Sequence, residues 1–371
     1  MRAIGEDASA SLKKKSNKSR LNRLARIGPV RFERITDRAA LEKIIEPIEI
    51  AYDLRQAAVH GGRPFREDLL KREFHLALLE QPDVLHVTAL WAGERLLAAH
   101  IGAADRDFVH NGIITFDLLD AGLSPGKLHQ LLMFEDMAKD GIAYFDLTPG
   151  DDPWKERFAT EHQTVHRLTL HESAWSRRAA AVKRQAKTVA RKLLKAVGTK
   201  LRSLRVRFDG TRRDEPVTLY RTMSEAVPKT PDTDVLAINC LQDLVAYEPG
   251  AKSLQRFARE ATSRLELGQR AYTAQEAGRL VFYGWLVEKA AKTPVTALDG
   301  GLNHPSNRVI LQLEQVAPED LDDGRVRAGL GQMLRDAAAV EGAEDILVVV
   351  PSSDQQARAA AQALGLAPYA G

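Results

Sequence analysis

Two short stretches of the chain gather residue types that can do chemistry. The first is FDLTPGDDPWKERF, Phe145 to Phe158, in which an apolar run ends on Asp146 and a Pro-Gly-Asp-Asp-Pro turn leads into Trp154 and Lys155. Ligands of open α/β sheets tend to sit at the C-terminal ends of strands. There the Asp146 carboxylate can orient or deprotonate an incoming group, the Lys155 ammonium can hold an anion or developing charge, and Trp154 can pack on the bound molecule. The same three residues equally suit a turn closed by an Asp–Lys ion pair with Trp154 lying on it. The second stretch is SPGKL, Ser124 to Leu128. Ser124 can cap a helix, Pro125 suits the first helical position, and Gly126 leaves the backbone uncovered. Free N–H groups at a helix start, helped by the dipole and by Lys127, suit an anion such as a pyrophosphate. An ordinary well-capped helix would carry the same letters. Asp117, in GIITFDLL, is a weaker acidic candidate on the neighbouring strand.

The elements around these residues can be read from periodicity. VRFERI alternates as a strand does, and residues 38–58 and 66–80 carry helical spacing, with Leu41, Ile44, Ile45 and Ile48 as the first apolar stripe. DVLHVTALWAGERLLAAHIGAADR reads as two strands turning at Gly93, followed by GIITFDLL, a helix from Pro125 to about Asp140, the strand IAYFDL, a short helix from Trp154 and a final strand QTVHRLTL. The order is β-α-α-β-β-β-α-β-α-β. The second half repeats it. EPVTLYRT reads as the opening strand, Lys252 to Leu267 as a helix, and two strands turn at Gly278; then come NRVILQLEQV, the Gly-rich helix start GRVRAGLGQ, DILVVV and a last helix. An offset of roughly 190–205 residues is too long for a solenoid and points to a duplicated domain. The expected division is a basic arm at 1–28, a first domain at 29–172, a linker helix at 173–207 and a second domain at 208–371.

Composition narrows the class. The chain has 371 residues, 44% hydrophobic and 28% charged, with a net charge of +3, which is ordinary for a globular protein of two domains. The sole cysteine, Cys240, excludes an internal disulfide and a cysteine-based zinc site. No apolar run approaches the roughly 20 residues of a membrane helix, and the N-terminus has no apolar signal core, so a cytoplasmic location is expected. Positive charge is concentrated in Lys13 to Arg26 and in Arg177 to Arg207, both expected to be helical arms outside the compact segments. The second is amphipathic, with Val182, Ala186, Val189 and Leu193 at three- and four-residue spacing. It suits a linker helix packed on a domain, or an anionic membrane surface that would make the protein peripheral to the inner membrane. Nucleic acid is disfavoured, because no aromatic residue is interleaved with the basic positions after Trp175. No metal is expected: His162 and His166 are four apart but flank a β run, and no other histidine pair has ligand spacing with acids beside it. Neither a Gly-x-Ser-x-Gly elbow nor a Walker loop is present.

The element order, with a Gly-containing start to its third helix, resembles the GNAT acyltransferase fold. Ser124-Pro125-Gly126, Asp146, Gly150, Trp154 and Lys155 further resemble the CelD-type cellulose-biosynthesis acetyltransferases, whose pattern is Ser-Pro-Gly-x-x-Leu followed by Asp-x-x-x-Gly-x-x-x-Tyr/Trp-Lys. LKKKSNKSRLNRLARIG is similar to the basic helix that precedes this domain in that family. In the family that domain ends a two-domain chain, whereas here a different GNAT-like unit follows it. The chain therefore reads as a rearranged member or as one that has lost a first half.

What the resemblance implies is a mixed α/β (α+β) fold of two tandem GNAT-like acyl-CoA N-acyltransferase domains joined by a basic helix. Acetyl-CoA would be the co-substrate, held by Ser124, Pro125, Gly126, Lys127 and Leu128. The acyl group would pass to an amine or hydroxyl of a small-molecule or saccharide acceptor in cell-surface polysaccharide production. Asp146 and Lys155 would be catalytic, with Trp154 and Asp117 on the substrate side. In the second copy, Arg327, Gly329 and Gly331 would form a further coenzyme A loop: Gly329 and Gly331 match its two glycines, but Val326 stands where a basic or amide residue belongs and Ala361 where a Tyr acid is usual. Glu314, late in its strand, can serve there as a base through water. Two rival functions are a non-catalytic scaffold docking through its basic helices, and a Fem-like aminoacyl transfer by tandem domains sharing one site.

Overall fold

The computed structural model describes residues 4–150, 152, 154–166, 168–170, 173, 175, 216–227, 234–250, 252–288, 307–315 and 322–369. The linker helix expected at 173–207 lies outside the described residues apart from Ser173 and Trp175.

The chain opens with two helices, α1 (Ile4–Leu12) and α2 (Lys15–Leu24). They are not a free arm. Leu24 is fully buried with Leu90, Leu97, Leu123 and Leu128, and Ala8 packs with Met133, Phe134 and Met137. The expectation of a basic arm outside the compact segments is corrected on this point. Lys15, Lys18 and Arg23 of α2 face outward, while Leu21 and Leu24 provide an apolar edge one turn apart that the core takes up.

β1 (Val30–Ile35) leads into α3 (Arg38–His60), which Asp37 caps by accepting the Ala40 N–H at 2.9 Å. The stripe Leu41, Ile44, Ile45 and Ile48 is buried as its spacing predicts. After α4 (Pro64–Glu67) and α5 (Lys71–Leu79) come β2 (Leu85–Ala92) and β3 (Arg95–Ala103), turning at Gly93 with φ +60°. Then follow β4 (Phe108–His110), β5 (Ile113–Phe116), α6 (Pro125–Lys139) and β6 (Tyr144–Asp146). β1, β2, β3 and β5 form one antiparallel sheet, while β4 and β6 pair in parallel beside it. The expected strand QTVHRLTL does not form: the described residues from 161 to 170 have no regular structure, and Val165, Leu168 and Leu170 are exposed.

The second sheet has seven strands in the order β13-β7-β12-β11-β10-β9-β8. They are β7 (Val217–Met223), β8 (Ala237–Ile238), β9 (Arg270–Glu276), β10 (Arg279–Val287), β11 (Arg308–Gln315), β12 (Asp345–Pro351) and β13 (Ala367–Pro368). Between them run α7 (Leu241–Val245), α8 (Leu254–Glu266), α9 (Asp323–Ala338) and α10 (Gln355–Ala363). EPVTLYRT is a strand, but not the opening one. β7 lies between β12 and β13, antiparallel to both, and the edge beside β9 goes to β8. Asp345 explains the preference: its carboxylate accepts from Arg221 of β7 at 2.8 Å and from Arg308 of β11 at 2.6 Å. Burial alone would raise that carboxyl, yet the two arginines hold it below the usual carboxylate range. The repeat of element order survives with β8 as the first strand of the second copy.

The two sheets share a core. Leu54, Ala57 and Ala58 of α3 pack with Phe257, Ala258 and Ala261 of α8, and Leu118 joins Tyr283 and Trp285. Arg63 reinforces the junction by donating to the carbonyls of Val245 at 2.7 Å and Tyr247 at 2.9 Å.

Candidate active site at the splayed strands of the first sheet

β4 and β5 form one continuous edge that changes partner midway. Phe108 to His110 face Tyr144 to Asp146 of β6, with the Asn111 N–H donating to the Asp146 carbonyl at 2.8 Å; from Ile113 onward the chain pairs with β3. The two parallel strands therefore diverge beyond Asp146, and α6 begins over the open end: a Cβ on Gly126 would meet the Phe116 ring at 3.1 Å.

The helix start differs from the expected one. Ser124 holds the N-cap position in the left-handed region, at φ +55°, and its side chain caps nothing. Its carbonyl takes the N–H groups of Lys127 at 3.1 Å and Leu128 at 3.2 Å. Pro125 has no N–H, which leaves that of Gly126 as the open donor of the first turn. The role of Gly126 is close packing on Phe116 more than an uncovered backbone, and the Leu128 side chain is wholly buried. Lys127 turns toward α2, where the buried Asn17 accepts from both the Lys127 ammonium and the Arg20 guanidinium at 3.3 Å each. Burial, followed by Arg20, Lys14 and Arg157, pushes the Lys127 ammonium below its usual range. The first turn of α6 holds no acid. Two cations sharing one amide oxygen beside a positive helix end suit an anion. Asn17, Arg20 and Lys14 went unnoticed in the sequence, although the basic run that contains them was conspicuous.

On the other side of the opening, Asp146 and Lys155 do not pair. Asp146 accepts the Thr148 N–H at 2.8 Å through Oδ1, and its Oδ2 lies 3.7 Å from Nε2 of His110. Lys155 is buried, with its ammonium on the Thr148 carbonyl and hydroxyl and the Pro149 carbonyl at 3.1–3.3 Å and 3.4 Å from Asp152. It closes the turn with these groups, not with Asp146, and the half-exposed Trp154 ring lies 5.9 Å from it. Asp117 is engaged by Arg95 at 2.6 Å, which also holds Asp120. Arg55 reaches the splay from α3, donating to the Ile114 carbonyl at 3.1 Å and lying over the Phe116 ring. Burial lowers its pKa.

Beneath α6 lies a group that sequence reasoning missed. His86, His100 and His129 are buried together with Thr88, whose hydroxyl meets His129 Nε2 at 3.0 Å, while both ring nitrogens of His86 and of His100 lack partners. Desolvation, then neighbouring charge, lowers His86 and His129 to about 3 and His100 to about 4, so all three are neutral at pH 7.

The second copy gives its corresponding residues other positions. Asp322 caps α9 by accepting the Arg325 N–H at 2.8 Å, and Asp323 follows it. Arg327, Gly329 and Gly331 lie on the second and third turns, where N–H groups are bonded within the helix. A Cβ on Gly329 would meet Leu236 at 3.1 Å. The expected donor loop at Arg327 to Gly331 is thus helix interior. Glu314 faces Tyr283 of β10, beyond Gln312, where the pairing of β11 with β12 ends. Among the described residues no group of three or more His, Cys, Asp or Glu side chains can hold a metal ion, and no helix is long and apolar enough to cross a membrane.

Residues 12–156 match the acetyltransferase (GNAT) domain family. The match takes in α2, the first sheet with its helices, the splay and the Lys155 turn. No curated protein matches the chain. Among solved structures the chain is similar to a tandem GNAT protein from the clavulanic acid biosynthesis pathway, at 15% identity over 92% of this chain and 96% of that one with a TM-score of 0.26. It is also similar to a GCN5-related N-acetyltransferase from Kribbella flavida, at 11% identity over 94% and 69% with a TM-score of 0.24. A GCN5-related glucosamine N-acetyltransferase region of a fungal β-N-acetylglucosaminidase matches at 11% identity over 92% and 37% with a TM-score of 0.26.

Proposed function

We propose that the GNAT domain of the first half transfers an acetyl group from acetyl-CoA to an amine or hydroxyl acceptor, and that the second half supports it without binding acetyl-CoA. The observation that carries this reading is Asn17, which holds Arg20 and Lys127 side by side at the start of α6. Lys14, Arg20, Lys127 and the Gly126 N–H would receive the phosphates of the donor, whose thioester supplies the activated acyl group. An anion there would offset the burial and the neighbouring positive charge that lower the Lys127 ammonium. The divergence of β5 from β6 would leave room for the rest of the donor between the strands. In this arrangement the protein contributes chiefly orientation and electrostatic help.

On the acceptor side, the resemblance of Ser124 to Lys155 to the CelD-type pattern favours a saccharide and a place in cell-surface polysaccharide production. We assign residues 29–172 to the catalytic unit, extended by α1 and α2, and 208–371 to the supporting one. A supporting role suits the acidic, self-capped start of α9. Calorimetry with acetyl-CoA tests the reading. Binding should be lost in Gly126→Asp and kept in Gly329→Asp. Absence of any binding heat in the wild-type chain would overturn the enzyme reading, and the opposite pattern of the two variants would move the donor to the second half.

A further inference from the structure

The edge formed by β4 and β5 contains an irregularity with a purpose. Ala104 faces Val109 and Ile101 faces Ile113, so between these pairs β3 supplies Gly102 and Ala103 while the other strand supplies His110, Asn111 and Gly112. This is a β-bulge, and two glycines make it feasible. A Cβ on Gly102 would lie 2.0 Å from the His110 carbonyl oxygen, and one on Gly112 would lie 2.5 Å from that of Ile101. The bulge sits where the edge leaves β6 for β3, at the vertex of the opening. Val109 and Phe145 point into the core beneath α6, and the two-residue period of a strand therefore turns His110 and Asp146 to the other face. There His110 Nε2 and Asp146 Oδ2 stand 3.7 Å apart, with side chains 42% and 53% exposed. The Thr148 N–H, on Asp146 Oδ1, fixes the carboxylate. Asn111 adds a buried Oδ1 without a partner at the same vertex.

We propose that His110 is the general base of the acyl transfer and that Asp146 is its positioning residue. The proposal rests on the acyltransferase reading of the first half. With Nε2–H turned to Asp146, Nδ1 is the basic nitrogen. As the acceptor nitrogen (or hydroxyl oxygen) bonds to the acyl carbon, its proton passes to Nδ1. The carbon–sulfur bond breaks, its electron pair leaves with the sulfur, and the proton on His110 returns to the thiolate or to water. The products are an amide or ester and a free thiol, with no oxidant or reductant required. The charged and titratable groups near His110 are Asp146 on β6 and His100 on β3, and the latter is neutral. The other exposed His–carboxylate contact, His162 with Glu156 at 3.5 Å, has no strand holding its histidine.

Two measurements on the full chain test the proposal. First, diethyl pyrocarbonate labelling read by peptide mass spectrometry needs no acceptor: acetyl-CoA should slow modification of His110 several-fold and leave the exposed His162 and His166 unchanged. Equal labelling of His110 with and without acetyl-CoA overturns the assignment. Second, thiol release from acetyl-CoA is followed with glucosamine, ethanolamine and lysine methyl ester as acceptors. His110→Gln should lower kcat about 100- to 1,000-fold and abolish the acidic limb of the pH–rate profile, with acetyl-CoA affinity by calorimetry unchanged. Asp146→Asn should lower kcat about 10-fold and move that limb. A His110→Gln variant with wild-type rate and profile sinks the base assignment but spares the enzyme; a wild-type chain that neither binds acetyl-CoA nor releases thiol sinks the enzyme reading itself.

Discussion

α6 and α9 hold corresponding places in the element order of the two halves, and they start in opposite electrostatic senses. α6 begins at a left-handed serine with no acid in its first turn, under the cations of α2. α9 begins with the Asp322 side chain accepting the Arg325 N–H and with Asp323 beside it. The positive end of a helix dipole can be left for a ligand or satisfied by the chain, but not both. On the reading proposed above, two copies of one element order would divide the work, one leaving its helix start for an anion and the other capping it.

The largest expected contrast is with pH. His86 and His100 lie under α6 beside His129 of that helix, and no histidine occurs among the described residues of the second sheet. Their folded pKa values lie below the roughly 6.5 of an unfolded histidine, so the unfolded chain binds more protons between the two. The stability they confer is complete above about pH 6.5 and is lost as pH falls toward 4 and then 3. Hydrogen exchange at pH 5, corrected for intrinsic rates, should show α6 opening before α9; equal protection would remove the contrast. Next in size is Lys127→Glu, which gives α6 the acid that α9 carries. It should weaken acetyl-CoA about 30-fold, or ~2 kcal/mol, by calorimetry. Asp322→Ala should cost about 1 kcal/mol in urea unfolding and leave acetyl-CoA affinity unchanged, because that cap serves only the helix. The smallest effect is of salt: raising NaCl from 50 to 500 mM should weaken acetyl-CoA about threefold at the cations around the start of α6.

The parts of this site that were legible in the sequence are those written in adjacent letters. Ser124-Pro125 announced a helix start, Gly93 and Gly278 announced turns, and the Leu41 to Ile48 stripe announced a buried face. The parts that were not legible depend on chain segments that meet only in three dimensions. His110 and Asp146 are neighbours through a parallel register, and no local pattern in FVHNGI reveals the bulge that Gly102 permits from a different strand. Charge alone made Lys13 to Arg26 look like a solvated arm, since two leucines suffice to seat α2 while its cations dominate the composition. QTVHRLTL alternates as a strand should, but alternation says nothing of whether a partner edge is available. EPVTLYRT has the opposite history: its strand character was evident, and its place followed from Arg221 and Asp345, 124 positions apart.

That placement of β7 bears on how the protein is made. The strand leaves the ribosome well before its partner β12, which begins about 120 residues later. At synthesis rates of about 5–20 residues per second, roughly 6–25 s pass with an apolar, unpaired edge waiting. Synthesis of β12, not emergence of the second sheet's first strands, therefore sets when that sheet can close. Any truncation before Asp345 would strand β7 in the same exposed condition permanently, a hazard for aggregation and a preferred mark for chaperones.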